Sequence, residues 1–171
     1  VRVNGEVEEK VWKKGGMYSA SIEKIIQNLE LAKKYAENEK QADAFDLLIK
    51  YYKTGDLEIW DDYNVSWVET TEVDVDYINC FIELYNDPKW YRGSYESVVQ
   101  IKDFEMSKKM SAISNEAQWF EDNSTIMDAH KKKNVIGILY NTVNVAGESG
   151  DASPSTPIGI NLSLIHISEP T

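Results

Sequence analysis

Glu83 and Tyr85 are the residues best suited by type and spacing to chemistry. They lie two apart in Tyr77-Ile78-Asn79-Cys80-Phe81-Ile82-Glu83-Leu84-Tyr85, where apolar and mixed residues alternate. A strand puts alternate residues on one face. Ile78, Cys80, Ile82 and Leu84 form one apolar face, and Tyr77, Asn79, Phe81, Glu83 and Tyr85 the other. A carboxylate beside a phenol among aromatics can hold an ammonium group and donate a hydrogen bond to a carbonyl. The same spacing equally suits a partly buried face on which Glu83 and Tyr85 satisfy one another.

Other chemistries find little support. There is no H-E-x-x-H, G-x-S-x-G or P-loop. The two histidines are His130, in a run of lysines that reads as a solvated loop, and His166. Cys80 alternates with core residues and reads as a buried structural thiol. Being single, it excludes an internal disulfide and any multi-cysteine metal site. Glu72, Asp74, Asp76 and Glu83 match the acidic spacing of a calcium loop, but Tyr77 stands where the glycine is required. Sequons at Asn64, Asn123 and Asn161 come without a secretory signal and read as chance matches.

Several elements must hold the Glu83 region in place. Val1 and Val3 lead through Asn4-Gly5, a hairpin turn signal, into a run from Glu6 to Trp12. Gly15-Gly16 breaks that run. Ser19 or Ser21 can cap a helix whose stripe is Ile22, Ile25, Ile26, Leu29, Ala32 and Ala36. A second helix is expected from Glu39 to Thr54, through Ala42, Phe45, Leu48, Ile49 and Tyr52, with Gly55 as its stop. Asp56 can cap a third toward Trp67.

Asn86-Asp87-Pro88 ends the Tyr77–Tyr85 strand, and Tyr95 to Ile101 reads as another. From Asp103 to Asp122 the helical period returns, with Met106, Met110, Ile113, Ala117 and Phe120 on one side. Val135 to Val145 could be helix, Gly147 to Pro157 reads as a loop, and Ile158 to Leu162 as a short strand. This mixture predicts an α+β fold.

The chain has 171 residues and carries 29 acidic against 18 basic side chains, a net charge of −11. Between Lys53 and Lys89 there is no basic residue and there are ten acidic ones, which leaves 19 acidic residues against 18 basic ones elsewhere. So concentrated a negative field repels phosphate backbones and argues against nucleic acid, while it attracts a cation or a peptide amino terminus. No apolar run approaches the length of a membrane helix, and the expected compartment is reducing and cytoplasmic.

Five short segments in register resemble dipeptidyl-peptidase III, a zinc exopeptidase family, and its bacterial members in particular. They are Val3-Asn4-Gly5-Glu6-Val7-Glu8-Glu9-Lys10-Val11-Trp12, Gly15-Gly16-Met17-Tyr18-Ser19, Phe81-Ile82-Glu83-Leu84-Tyr85-Asn86-Asp87-Pro88, Gln118-Trp119-Phe120-Glu121-Asp122 and Gly159-Ile160-Asn161-Leu162. The resemblance implies an enzyme that removes dipeptides from the amino terminus of short peptides. It implies two lobes around a cleft, one largely helical and carrying zinc, the other with a β-barrel core that takes the peptide as an added strand. Residues 1–103 would belong to the peptide-binding lobe and 104–143 would be a helical segment toward the zinc lobe. Residues 144–162 would return to the peptide-binding lobe.

By the same resemblance, Glu83 and Asn161 would bind the substrate's amino terminus. Tyr85 would stabilise the transition state, and Ile82 and Gly159 stand in the matching segments as substrate-binding positions. Leu84 replaces a serine common in the family, and Ser163-Leu164 replaces a proline and a second asparagine. The zinc motif H-E-x-x-x-G-H is absent. The chain therefore reads as an interior fragment, expected to bind no zinc by itself, whose partner is the missing remainder of the same protein. Residues 163–171 read as a non-native tail. The rival reading is a non-catalytic acidic module that captures peptides or a basic partner.

Overall fold

The computed structural model of the chain describes residues 2–84, 87–89, 93–135 and 141–153, with Ile82 and Glu83 described by their backbone alone. The described residues fall into two compact units, 2–73 and 74–153. The mixed α+β architecture follows the expectation. No described helix is long and apolar enough to cross a membrane.

The first unit opens with a hairpin. Strands β1 (Arg2–Val3) and β2 (Glu6–Val7) pair antiparallel across Asn4 and Gly5, which both take positive φ (50° and 88°), as a two-residue turn requires. The extended run ends at Val7, short of the expected Trp12. The chain instead folds back on itself: the Met17 amide donates to the Val11 carbonyl and the Gly16 amide to that of Lys13.

Helix α1 (Ser19–Lys33) starts one residue after Tyr18, which caps it in the left-handed conformation with φ 59° and no side-chain bond. Neither Ser19 nor Ser21 is the cap. Ser19 is already helical, and its hydroxyl accepts from the Gly15 amide and donates to Glu23. Helix α2 (Glu39–Thr54) is capped by Asn38, whose Oδ1 accepts from the Gln41 amide, and it ends at left-handed Gly55. Helix α3 (Leu57–Val68) is capped by Asp56 through the Glu58 amide.

Helix α2 packs against both α1 and α3. The stripes foreseen from the helical period supply Ile22, Ile26 and Leu29 from α1 and Phe45, Leu48, Ile49 and Tyr52 from α2 to the core, and α3 adds Ile59 and Tyr63. An aromatic row from Tyr51 through Trp60 to Tyr63, with ring centres 5.1 and 5.2 Å apart, joins α2 to α3. On the surface, Lys53 hydrogen-bonds Glu30 at 2.9 Å and holds its carboxyl below the usual range.

The second unit is an antiparallel sheet with helices in its longest connection. Strand β3 (Val75–Glu83) pairs with β4 (Ser94–Lys102), and β4 pairs on its other side with β5 (Val143–Gly150). Helices α4 (Phe104–Asn115) and α5 (Ala117–Asp122) lie between β4 and β5 in sequence. They replace the single helix expected from Asp103 to Asp122, because Glu116 leaves helical geometry at φ −95°, ψ 8°.

Two further expectations are corrected in this unit. Val143–Val145 is strand, where helix was open, and Gly147–Gly150 is strand, where a loop was expected. The second edge of β4 needs hydrogen-bond partners, and small residues can approach it closely. A Cβ at Gly150 would collide with the Tyr95 carbonyl, and Gly150 has φ 68°. The proposed strand at Ile158–Leu162 lies outside the described residues.

Gly55 carries two requirements, its φ of 72° and the nearness of Val11, whose Cγ1 would lie 2.5 Å from an added Cβ. Gly5 also has positive φ but has open space around it. Gly55→Ala should therefore destabilise by clearly more than Gly5→Ala, for which about 1 kcal/mol is expected. Urea unfolding of the two variants checks the difference. Asn38→Ala should cost about 1–2 kcal/mol through the lost cap. Asn38→Asp should keep most of that and lose only the bond from Nδ2 to the Glu72 carbonyl, a contrast that thermal melts of the pair resolve.

Candidate functional site

The Glu83 segment is positioned by the β3–β4 ladder. One face of this ladder is apolar and buried: Ile78, Cys80 and Val98 are 8%, 1% and 1% exposed, and Glu96 is buried beside them. Cys80 is the buried thiol, outside any disulfide, that its place in the pattern suggested. The opposite face carries a polar and aromatic set. Asn79 donates from Nδ2 to Tyr95 Oη at 3.0 Å and lies 3.4 Å from Ser97 Oγ. Phe81 meets Tyr95 edge-on with ring centres 5.6 Å apart. Tyr77 on this face is also buried, so both faces are at least partly covered.

The pairing is regular from Val75, opposite Ile101, to Phe81, opposite Tyr95. There it shifts. Glu83 stands opposite Ser94, so two steps on β3 match one step on β4 around Ile82. A bulge of this kind changes the phase of the alternation. The strict period of two, on which the expected common face from Tyr77 to Tyr85 rests, is therefore broken between Phe81 and Glu83. Gly93 fits beside the bulge, where a Cβ would lie 3.1 Å from the Phe81 carbonyl group.

After the bulge the chain turns. The Asp87 amide donates to the Leu84 carbonyl at 3.0 Å, and Asp87 Oδ1 accepts from the Lys89 amide at 3.1 Å. Asp87 and Pro88 thus carry the turn chemistry expected of them at the end of the strand. Of the five candidate site residues, Ile82 and Glu83 are placed by their backbone at the bulge, while Tyr85, Gly159 and Asn161 lie outside the described residues. The bulge itself has no marker in the sequence of β3; Gly93, on the facing segment, is the one residue that hints at a close approach.

Among the described residues there is no group of three or more histidine, cysteine, aspartate or glutamate side chains able to hold a metal ion. Asn64, in the first sequon, is 6% exposed and lies within α3, with Nδ2 donating to the Trp60 carbonyl. In the first unit a cleft of about 520 Å³ is lined by Glu9, Lys10, Val11, Lys13 and the Gly15–Met17 loop.

The match to known proteins extends over most of the chain. Residues 2–128 match the family model described as peptidase family M49. The protein named dipeptidyl peptidase 3 from Nematostella vectensis is 27% identical over 147 residues, and that from Homo sapiens 25% over 147. Each alignment covers 86% of this chain and 20% of the relative. The chain thus spans about a fifth of the length of the curated relatives it matches. Among solved structures, dipeptidyl-peptidase III from Caldithrix abyssi superposes with a TM-score of 0.69 at 18% identity, covering 89% of this chain and 28% of that one. The enzyme from Corallococcus sp. strain EGB gives a TM-score of 0.54, also at 18% identity. The family match from residue 2 to residue 128 covers well over half of the chain and leads to one conclusion: the chain belongs to peptidase family M49.

Proposed function

We propose that this chain is a segment of a dipeptidyl-peptidase and supplies part of the site that holds the amino terminus of a short peptide. The observation that carries the reading is the family match over residues 2–128, inside which Phe81-Ile82-Glu83 forms the bulged end of a strand. Bulges gather beside active sites because they re-aim a strand and end its pairing.

In this reading Glu83 is the anchor for the peptide's ammonium group. A carboxylate about 4 Å from an ammonium is worth roughly 4 kcal/mol at an effective dielectric of 20, before desolvation costs. That preference selects free amino termini over internal stretches. Asn161 adds an acceptor to the same ammonium, and Gly159 and Ile82 offer backbone groups to an extended peptide. Tyr85 donates its hydroxyl proton as a hydrogen bond to the carbonyl oxygen that gains charge in the transition state.

The described residues do not fit a metal site. The zinc of such an enzyme would be held by the part of a longer protein that this chain does not span, and so would the lobe toward which residues 104–143 lead. Residues 163–171 stand apart from this reading as a non-native tail. A cytoplasmic setting suits a chain whose only cysteine is buried and forms no disulfide. The test begins with the full reading frame, which should continue into H-E-x-x-x-G-H. A stop directly after the Leu162 region would instead favour a non-catalytic peptide-binding module.

The purified 171-residue chain should release no dipeptide from an arylamide substrate; zinc-dependent release by this chain alone would overturn its reading as an incomplete site. In the full-length enzyme, Glu83→Gln should chiefly raise KM, because the ammonium loses its charged partner. Tyr85→Phe should chiefly lower kcat, by about 10²–10³-fold, because the lost donor acts most strongly in the transition state. Steady-state kinetics on one dipeptidyl substrate separates the two effects.

A further inference from the structure

The geometry points to Tyr95 as the positioning residue for Glu83. Its ring holds Phe81 at the last regular step of the β3–β4 ladder, and so sets where the bulge falls and how the backbone runs into Glu83. The inference rests on the reading of Glu83 as the anchor for a peptide's amino terminus, and adds a residue that acts through it. Tyr95 stands outside the five segments that carry the family resemblance.

A bulge needs something to fix its place. The backbone groups of a ladder are alike at every step, so register is decided by side chains and turns. Here the ladder is regular up to Phe81, opposite Tyr95, and Glu83 is the next paired residue, opposite Ser94. Phe81 and Tyr95 also meet through their rings, edge-on with centres 5.6 Å apart. Aromatic residues directly opposite one another are among the stronger cross-strand pairs.

Beyond that pair β4 offers little grip. Ser94 is small, and Gly93 lies so close to Phe81 that an added Cβ would sit 3.1 Å from its carbonyl group. Among the described residues, the Phe81–Tyr95 contact is therefore the last ring-sized hold on β3 before the extra residue at Ile82.

Tyr95 can serve as a reference because it is itself held from two further directions. Its carbonyl accepts from the Asp151 amide at 3.1 Å, and a Cβ on Gly150 would collide with that carbonyl, so β5 closes on its backbone. Its Oη accepts from Asn79 Nδ2 at 3.0 Å, on the side of Phe81 away from the bulge, and Ser97 Oγ lies 3.4 Å from the same nitrogen. The ring is thus fixed by β5 and by the regular part of β3, and Phe81 is fixed by the ring. A bulge so placed re-aims the chain that follows it.

The test is a double-mutant cycle in the full-length enzyme, by steady-state kinetics on one dipeptidyl arylamide. Tyr95→Leu removes the ring and should lower kcat/KM by about 3–10-fold, the weight of one aromatic pair. Tyr95→Phe keeps the ring, loses only the acceptor for Asn79, and should recover most of that loss. In the Glu83→Gln background, Tyr95→Leu should lower kcat/KM by less than about two-fold, because the charge that needed placing is already gone. A merely structural role predicts the same loss in both backgrounds. Hydrogen exchange on the same proteins reads the ladder without activity: Tyr95→Leu should speed exchange at residues 81–83 and leave 75–78 as in the wild type. Should Tyr95→Leu not fold, Phe81→Leu weakens the same contact from β3 and goes through the same cycle. Equal losses in the two backgrounds, exchange at 81–83 unmoved, or Tyr95→Phe as impaired as Tyr95→Leu each overturn the proposal. If the wild type releases dipeptides but the cycle shows no coupling, positioning by Tyr95 fails and the functional reading stands. If the wild type releases none while exchange at 81–83 responds as expected, the functional reading fails and the control of the bulge by Tyr95 stands.

Discussion

Strand β4 has neighbours on both sides, and the order of the second unit depends on that pairing. Its pattern is set by what must be buried. Val98 and Glu96 face the same side as Ile78 and Cys80, and a slip of one residue would turn that set outward. With this register fixed, the partners of β4 have little freedom. Phe81 must meet Tyr95, the single-residue shift must fall next to it, and Gly150 must come up against the Tyr95 carbonyl. Tyr95 is thus a meeting point for three elements. Its carbonyl accepts from the Asp151 amide at 3.1 Å, its hydroxyl accepts from Asn79, and its ring packs on Phe81.

Much of this was legible in the residues. The helical period located α1 and α2 and most of the first core, because one apolar stripe per helix is enough when two helices pack together, and the Asp56 cap located the start of α3. Asn4-Gly5 and Gly55 announced positive φ, and the structure uses them so. Alternation located β3 and β4 and marked Cys80 as buried. What failed has physical causes. A tyrosine rarely adopts left-handed geometry, so nothing in Gly16-Met17-Tyr18 announced Tyr18 as the helix cap. Glycines at 147 and 150 carry a loop signal, which was overridden by the open edge of β4. The bulge at Ile82 is a property of two strands together, and alternation along one strand cannot contain it. Glu83 could therefore be singled out by type and spacing, whereas its relation to Phe81 needed the facing strand. Tyr85, Gly159 and Asn161 rest on spacing and resemblance alone.

The distribution of charge follows the same division of labour. The stretch without a basic residue runs from the end of α2 to the turn after β3 and includes the Glu83 segment. Six of its ten acidic residues, from Asp56 to Glu72, belong to the first unit, and four, Asp74, Asp76, Glu83 and Asp87, to the second. The lysines are placed elsewhere, several of them tying helix surfaces together, as Lys33 does to Asp46 and Lys53 to Glu30.

The sheet also imposes an order on folding. Strands β3 and β4 are near neighbours in sequence, but Lys102 pairs with Val143, across a connection that holds α4 and α5. Each doubling of such a loop adds only about 0.6 kcal/mol to its closure. The delay during synthesis is larger in consequence. At roughly 5–20 residues per second, β5 leaves the ribosome several seconds after β4. Throughout that interval the second edge of β4 is unpaired and open to the wrong strand. The bonds from Asp103 and Ser107 to Thr142 bring the chain back beside the end of β4, just before β5 begins. Once the connection has closed, they pin Thr142 to the start of α4 and so hold β5 against the edge it covers.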